Sequence, residues 1–141
     1  MARLDRKRLD AAEFPMMEDV ATRFDDMDVQ GHINNAAAAV ILQEARVRIS
    51  RKAGITGGSG GLFGIVASLT IEYAAEMHYP EPVQVGSGVL AIGRTSFTIG
   101  QRARQGGRSS LYAETVMVLT DGSGPMALSE PMRAAFEALR I

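Results

Sequence analysis

The chain of 141 residues contains no cysteine. That excludes a disulfide framework, a cysteine nucleophile and any zinc site built on thiolates. It fits a reducing compartment, and a cytoplasmic location is the expectation. Histidine is nearly as scarce, with only His32 and His78, so composition argues against a metal site built on several histidines. Excess charge is missing as well. The net charge is −1, which leaves no strong field to recruit nucleic acid or an anionic membrane. No run approaches the ~20 apolar residues of a membrane span. The basic opening MARLDRKRLDAAEF lacks the apolar segment of a secretory signal. It reads as a solvated, frayed extension over residues 1–17, with phosphate contact as its functional alternative. The glycine run GITGGSGG at 54–61 has neither a GK[ST] ending nor a strand-to-helix setting, so it reads as a flexible connection rather than a phosphate cradle.

What is present is an ordinary globular balance, 46% apolar and 22% charged. The length suits one domain, expected over residues 18–141. A short strand is expected around Val20 to Phe24. The stretch from Asp25 to Asn34 is a loop by its Asp, Gly and Asn content. Asn34 or Asn35 then caps a helix that runs to Lys52 and stops at Gly54. The first half of that helix, AAAAVIL, is apolar all round, the mark of a buried helix, and charges begin at Glu44. Glu44 is expected to pair with Arg46 or Arg48.

Period-two alternation from Leu62 to Tyr73 predicts a strand, followed by strands at 82–93, 96–104 and 109–121 with short links. Met132, Ala135, Phe136 and Leu139 then mark a closing amphipathic helix, capped by Ser129 with Pro131 in its first turn. Consecutive strands with tight links favour an antiparallel sheet, and a helix apolar around its circumference needs that sheet to curl about it. The fold class is α+β.

The segment RFDDMDVQGHINNAAAAV, residues 23–40, carries the chemistry. Its pattern is Asp26, Asp28, Gly31, His32, Asn34 and Asn35, followed by Glu44-Ala45-Arg46. This resembles the 4-hydroxybenzoyl-CoA thioesterase-like branch of the hotdog-fold acyl-CoA thioesterases. Weaker likeness continues through TIEYAAEMHYPEPVQVGSGVLAIGRTSF and the tail SEPMRAAFEAL. The resemblance implies a five-stranded antiparallel sheet wrapped around the long central helix. It implies a homodimer or homotetramer with sites at the dimer interface. It also implies hydrolysis of an acyl-CoA thioester with no metal and no bound cofactor.

By the same resemblance Asp28 is the catalytic carboxylate, general base or nucleophile, and the backbone N–H of Asn35 is the oxyanion donor. Asn34 assists or caps, Gly31 allows close approach or a positive φ, and His32 either ties the loop down or polarises Asp28. Asp26 is expected to position the loop through backbone hydrogen bonds. The family's tyrosine four residues after the first asparagine is here Ala38, and the next expected aromatic is Ile41. That departure predicts a roomier or more aliphatic pocket, or one filled by neighbouring side chains. Ser96 matches a family serine near the pantetheine. Arg94, Arg102 and Arg104, with Arg108, are candidates for the CoA phosphates, or else a solvated edge. Two other readings stand beside this one. One is a hotdog hydratase or dehydratase acting on acyl-carrier-protein substrates; the other is a non-catalytic acyl-CoA binding module.

Overall fold

Residues 3–57 and 61–141 are described by a computed structural model; residues 58–60 of the expected glycine connection lie outside them. The chain runs α1 (Arg6–Ala11), β1 (Met16–Val20), a 3-10 turn (Phe24–Asp26), α2 (Asn35–Lys52), β2 (Phe63–Tyr73), β3 (Val83–Ile92), β4 (Ser96–Gln105), β5 (Arg108–Thr120) and α3 (Glu130–Glu137). The five strands form one antiparallel sheet in the order β1-β3-β4-β5-β2. The sheet curls about α2, which is the hotdog arrangement. Gly106 and Gly107 close the β4–β5 hairpin at φ +59° and +77°, the left-handed values a two-residue turn requires.

One face of the sheet holds α2. Ala38, Ile41, Leu42, Ala45 and Ile49 are buried there. The first four meet Val83, Val85, Ala103, Leu111 and Ala113. Ile49 joins a second cluster with Val89, Ile99, Leu119, Phe97 and Phe136. Phe97 and Phe136 stack at 4.2 Å between centroids, so α3 seals that end of the barrel. Gln101, fully buried on β4, donates to the carbonyl of Leu42 at 3.0 Å and to Ser87 Oγ at 2.9 Å, pinning helix to sheet.

The helix is not buried all round, as its composition suggested. Val40 is 59% exposed and Val47 is 44% exposed. α2 therefore keeps one apolar stripe outside, which the other described residues do not cover. Glu44 is exposed and forms no ion pair among the described residues. Arg48 pairs with Glu18 of β1 instead. Arg46 is buried and, among the described residues, its side chain bonds only Thr115 Oγ1, at 3.5 Å. Burial pulls its guanidinium below the ordinary value.

The N-terminal segment is also not the expected frayed tail. Asp5 caps α1 by accepting from the N–H of Arg8. Leu9 is buried against Leu90 and Tyr112 on the sheet's other face, and Tyr112 Oη donates to Asp10 at 2.8 Å. The packing is close because β3 is bare there. A Cβ on Gly86 would stand 2.4 Å from Phe14, and one on Gly88 2.4 Å from Ile141. The first strand begins at Met16, ahead of the expected position.

Candidate active site

The loop ahead of α2 is held by its own aspartates. Asp26 is buried, accepting from the N–H of Arg23 at 2.8 Å through Oδ2 and from its guanidinium at 3.1 Å through Oδ1. Its carbonyl accepts from the N–H of Asn34 at 2.8 Å. This is the positioning role its place in the motif suggested.

Asp28 is bound differently. Its N–H donates to the carbonyl of His32 at 2.8 Å, and its carbonyl accepts from Gly31 at 3.1 Å. Oδ1 accepts from the N–H groups of Gln30, at 2.9 Å, and His32, at 3.3 Å. No donor among the described residues bonds Oδ2. Gly31 makes the turn at φ +79°, and Met27 bridges Ile33 beneath it. The loop thus presents one fixed carboxylate with an oxygen to spare.

Asn34, not Asn35, is the helix cap, its Oδ1 accepting from the N–H of Ala36 at 2.8 Å. The N–H of Asn35 has no partner among the described residues. It stands at the positive end of an 18-residue helix, where a developing oxyanion is stabilised. The carbonyl of Asn35 accepts from Tyr73 Oη at 2.9 Å.

Asp28, His32, Asn35 and Ala38 line one cavity of about 410 Å³ with Gln30, Ile33, Tyr73, Ala74, Ala75, Glu76, Met77 and Leu111. A volume of that order suits a small-molecule ligand. The imidazole of His32 turns to Glu76, with Nε2 3.2 Å from the carboxylate. Its backbone holds Asp28; its ring does not. Tyr73 and Glu76 were not singled out by the sequence. Tyr73 is the last residue of the period-two strand, so its position reads as sheet patterning until the fold brings it to the helix. Partial burial raises its phenol above the ordinary value.

The expected cations are elsewhere. Arg102 is buried under α1, donating to the carbonyls of Leu9 at 3.2 Å and Asp10 at 3.0 Å, with Phe14 over its guanidinium. Arg104 bonds Ser109 Oγ on the same face. Neither is placed to meet CoA at this cavity, because side chains on successive residues of a strand alternate while α1 and the hairpin take up both heads. Arg94 and Ser96 sit at the β3–β4 hairpin. Leu111 of the cavity pairs with Ala103, seven residues along β4 from Ser96, about 24 Å at strand rise.

The profile of the thioesterase-like superfamily matches residues 22–136. The chain is similar to a thioesterase from Thermus thermophilus solved with coenzyme A and Zn, at 27% identity and TM-score 0.79, covering 89% of this chain and 94% of that one. A predicted thioesterase from Bacillus stearothermophilus has the same fold at 23% identity and TM-score 0.83, covering 89% and 96%. The uncharacterized protein YsmA of Bacillus subtilis (strain 168) is 24% identical over 86 residues, 61% of this chain and 58% of its own length. The chain therefore spans little more than half of that curated relative. Motif, sheet topology and a profile match over residues 22–136 agree, and the chain belongs to the thioesterase-like superfamily.

Proposed function

We propose that this protein hydrolyses an acyl-CoA thioester to free acid and CoA at the cavity bearing Asp28. The observation that carries the reading is the pairing of an available carboxylate oxygen with an available helix N-terminal N–H in one cavity. The carboxylate takes the proton of water, or itself attacks the carbonyl carbon. The N–H of Asn35 receives the negative charge that develops on the carbonyl oxygen. Collapse breaks the C–S bond, and the thiolate leaves. On the base route it takes up the proton that Asp28 removed from water; on the nucleophile route water then cleaves the acyl-Asp28 anhydride to free the acid and restore the carboxylate. Ala38 and Leu111 give the acyl group an apolar wall, and Tyr73 lines the same cavity with its hydroxyl bonded to the carbonyl of Asn35. The similar Thermus thermophilus thioesterase was solved with coenzyme A, which supports CoA as the carrier.

We infer further that the working unit is at least a dimer. β2 is an 11-residue edge strand with Ile65, Val66 and Leu69 exposed. Beside it lie the exposed Val40 and Val47 of α2 and the buried Arg46, which has no carboxylate partner among the described residues. A second copy across β2 covers all of these. Arg94 and Ser96 act on CoA at this cavity only if a second chain supplies them. Among the described residues no helix is long and apolar enough to cross a membrane.

Free-thiol release from a panel of short, long and aryl acyl-CoAs tests the activity. The parent turns over at least one class, and Asp28→Asn lowers the rate by about 10²- to 10⁴-fold while remaining folded. An undiminished rate in Asp28→Asn removes the assigned role. No hydrolysis of any acyl-CoA by the parent removes the CoA-thioesterase reading.

A further inference from the structure

Glu76, Met77 and His78 lie between β2 and β3, against the loop that carries His32. Both imidazoles of the chain meet there. The rings of His32 and His78 are 5.1 Å apart, with planes crossing at 81°. A carboxylate oxygen of Glu76 is 3.2 Å from His32 Nε2. One ligand atom from each of the three residues lies within 4.8 Å of the other two. We propose that His32, Glu76 and His78 bind one zinc-class divalent ion on the wall of the Asp28 cavity, with a coordination position open towards it.

The donors set the ion class. Two imidazole nitrogens and one carboxylate are a borderline set that suits zinc or cobalt, whereas calcium and magnesium want oxygen throughout. The spacing agrees. Tetrahedral zinc with bonds of about 2.0–2.1 Å holds its ligand atoms about 3.3 Å apart. His32 and Glu76 already stand at that separation. Closing the third ligand takes a movement on the order of 1.5 Å, within the reach of a side-chain rotation. Glu76 and His78 are exposed and free to make it.

The backbone beneath is fixed. The N–H of Ile33 donates to the carbonyl of Met77 at 2.8 Å, stitching the two ligand-bearing segments together. Met77 is buried. The side chain of Gln105 clasps His78 from both sides. Its Oε1 accepts from the His78 N–H at 2.7 Å, and its Nε2 donates to the His78 carbonyl at 2.7 Å. The imidazole of His78, by contrast, has no hydrogen-bond partner among the described residues. A His32–Glu76 ion pair accounts for one contact of the cluster and gives His78 no role. An ion accounts for all three. Two histidines looked too few for a metal site from composition. Glu76 makes up the third ligand, and both His32 and Glu76 line the Asp28 cavity.

The test is direct binding and does not depend on turnover. The full chain, stripped with a chelator, is titrated with Zn²⁺ by calorimetry and with Co²⁺ by visible absorption. The expected result is one ion per chain with a four-coordinate cobalt spectrum. His78→Ala and Glu76→Gln each weaken binding by about tenfold or more, with unchanged circular dichroism. Both side chains are exposed, and if one variant misfolds the other decides. Undiminished binding in a folded variant overturns the site, as does a parent that binds no stoichiometric ion.

Discussion

The two edges of the sheet are built differently. β1 is five residues long, follows Pro15 and carries Glu18 and Asp19; Glu18 pairs with Arg48 of α2. A short, charged edge after a proline resists further pairing. β2 is more than twice as long, and its exposed residues include Ile65 at 52% and Leu69 at 41%. Its one acidic residue, Glu72, is taken up by Leu4 and Arg6 near its C-terminal end, and a bulge interrupts it between Val66 and Ser68. The same division runs through the molecule. β1, β3 and β4 carry α2 on one face, and α1 packs on the other face against β3, β4 and β5. The side of β2 holds the cavity, the outward stripe of α2 and the unpaired Arg46. Packing is thus concentrated at one edge, while the cavity and the uncovered apolar surface lie at the other.

Placing the same charge on both edges is the strongest way to break this contrast. Leu69→Glu combined with Val47→Glu is expected to abolish self-association, read as a shift to monomer mass in light scattering behind a sizing column. Each site is exposed, so the folded chain loses only about 0.5 kcal/mol per substitution. Met17→Glu on β1, also exposed, leaves the mass unchanged. A monomeric parent removes the inferred self-association, and a dimer broken by Met17→Glu reverses the assignment of the edges.

The closed side answers to a different probe. Phe136 is fully buried and stacked on Phe97. Phe136→Ala is expected to cost about 3–5 kcal/mol in urea unfolding. Where the variant remains folded, its turnover at the Asp28 cavity stays near the parent's, because α3 does not line that cavity. A cost under about 1 kcal/mol would mean that α3 does not seal the core.

Much of this was legible in the sequence. The limits of α2 from Asn34 to Gly54, the four later strands and α3 all follow local signals: a cap, a stop glycine, period-two runs and a capping serine. Asp28, His32, Asn35 and Ala38 were expected together and share a cavity. What failed was whatever depended on distant chain segments. Arg102 and Arg104 looked like free cations because nothing local reveals that α1 and Ser109 occupy their heads. α1 itself was missed because its six residues carry one buried anchor, Leu9, too few for a periodic signal. The meeting of His32 with His78 comes from a backbone clip between Ile33 and Met77, and sequence separation hides it.

The smallest effect concerns how α1 is fastened across to β2. Glu72 of β2 accepts from the N–H of Leu4 at 2.8 Å and from Arg6 Nε at 2.6 Å. The Leu4 N–H first, and then Arg6, hold its carboxyl below the ordinary value of 4.5. A depressed carboxyl stabilises the fold above the unfolded value and loses that contribution as pH falls through the folded one. Amide protection at Leu4 and through α1, corrected for intrinsic exchange, should therefore hold at neutral pH and decline below about 4.5. In Glu72→Gln protection should be lower at neutral pH and lose most of its dependence on pH. The cavity lies apart from this tether, so Asp28-dependent turnover at neutral pH should not change with it. An acid-induced loosening of α1 that survives Glu72→Gln would place the fastening elsewhere, on Asp10 with Tyr112 and Ser109, the other carboxylate that joins α1 to the sheet.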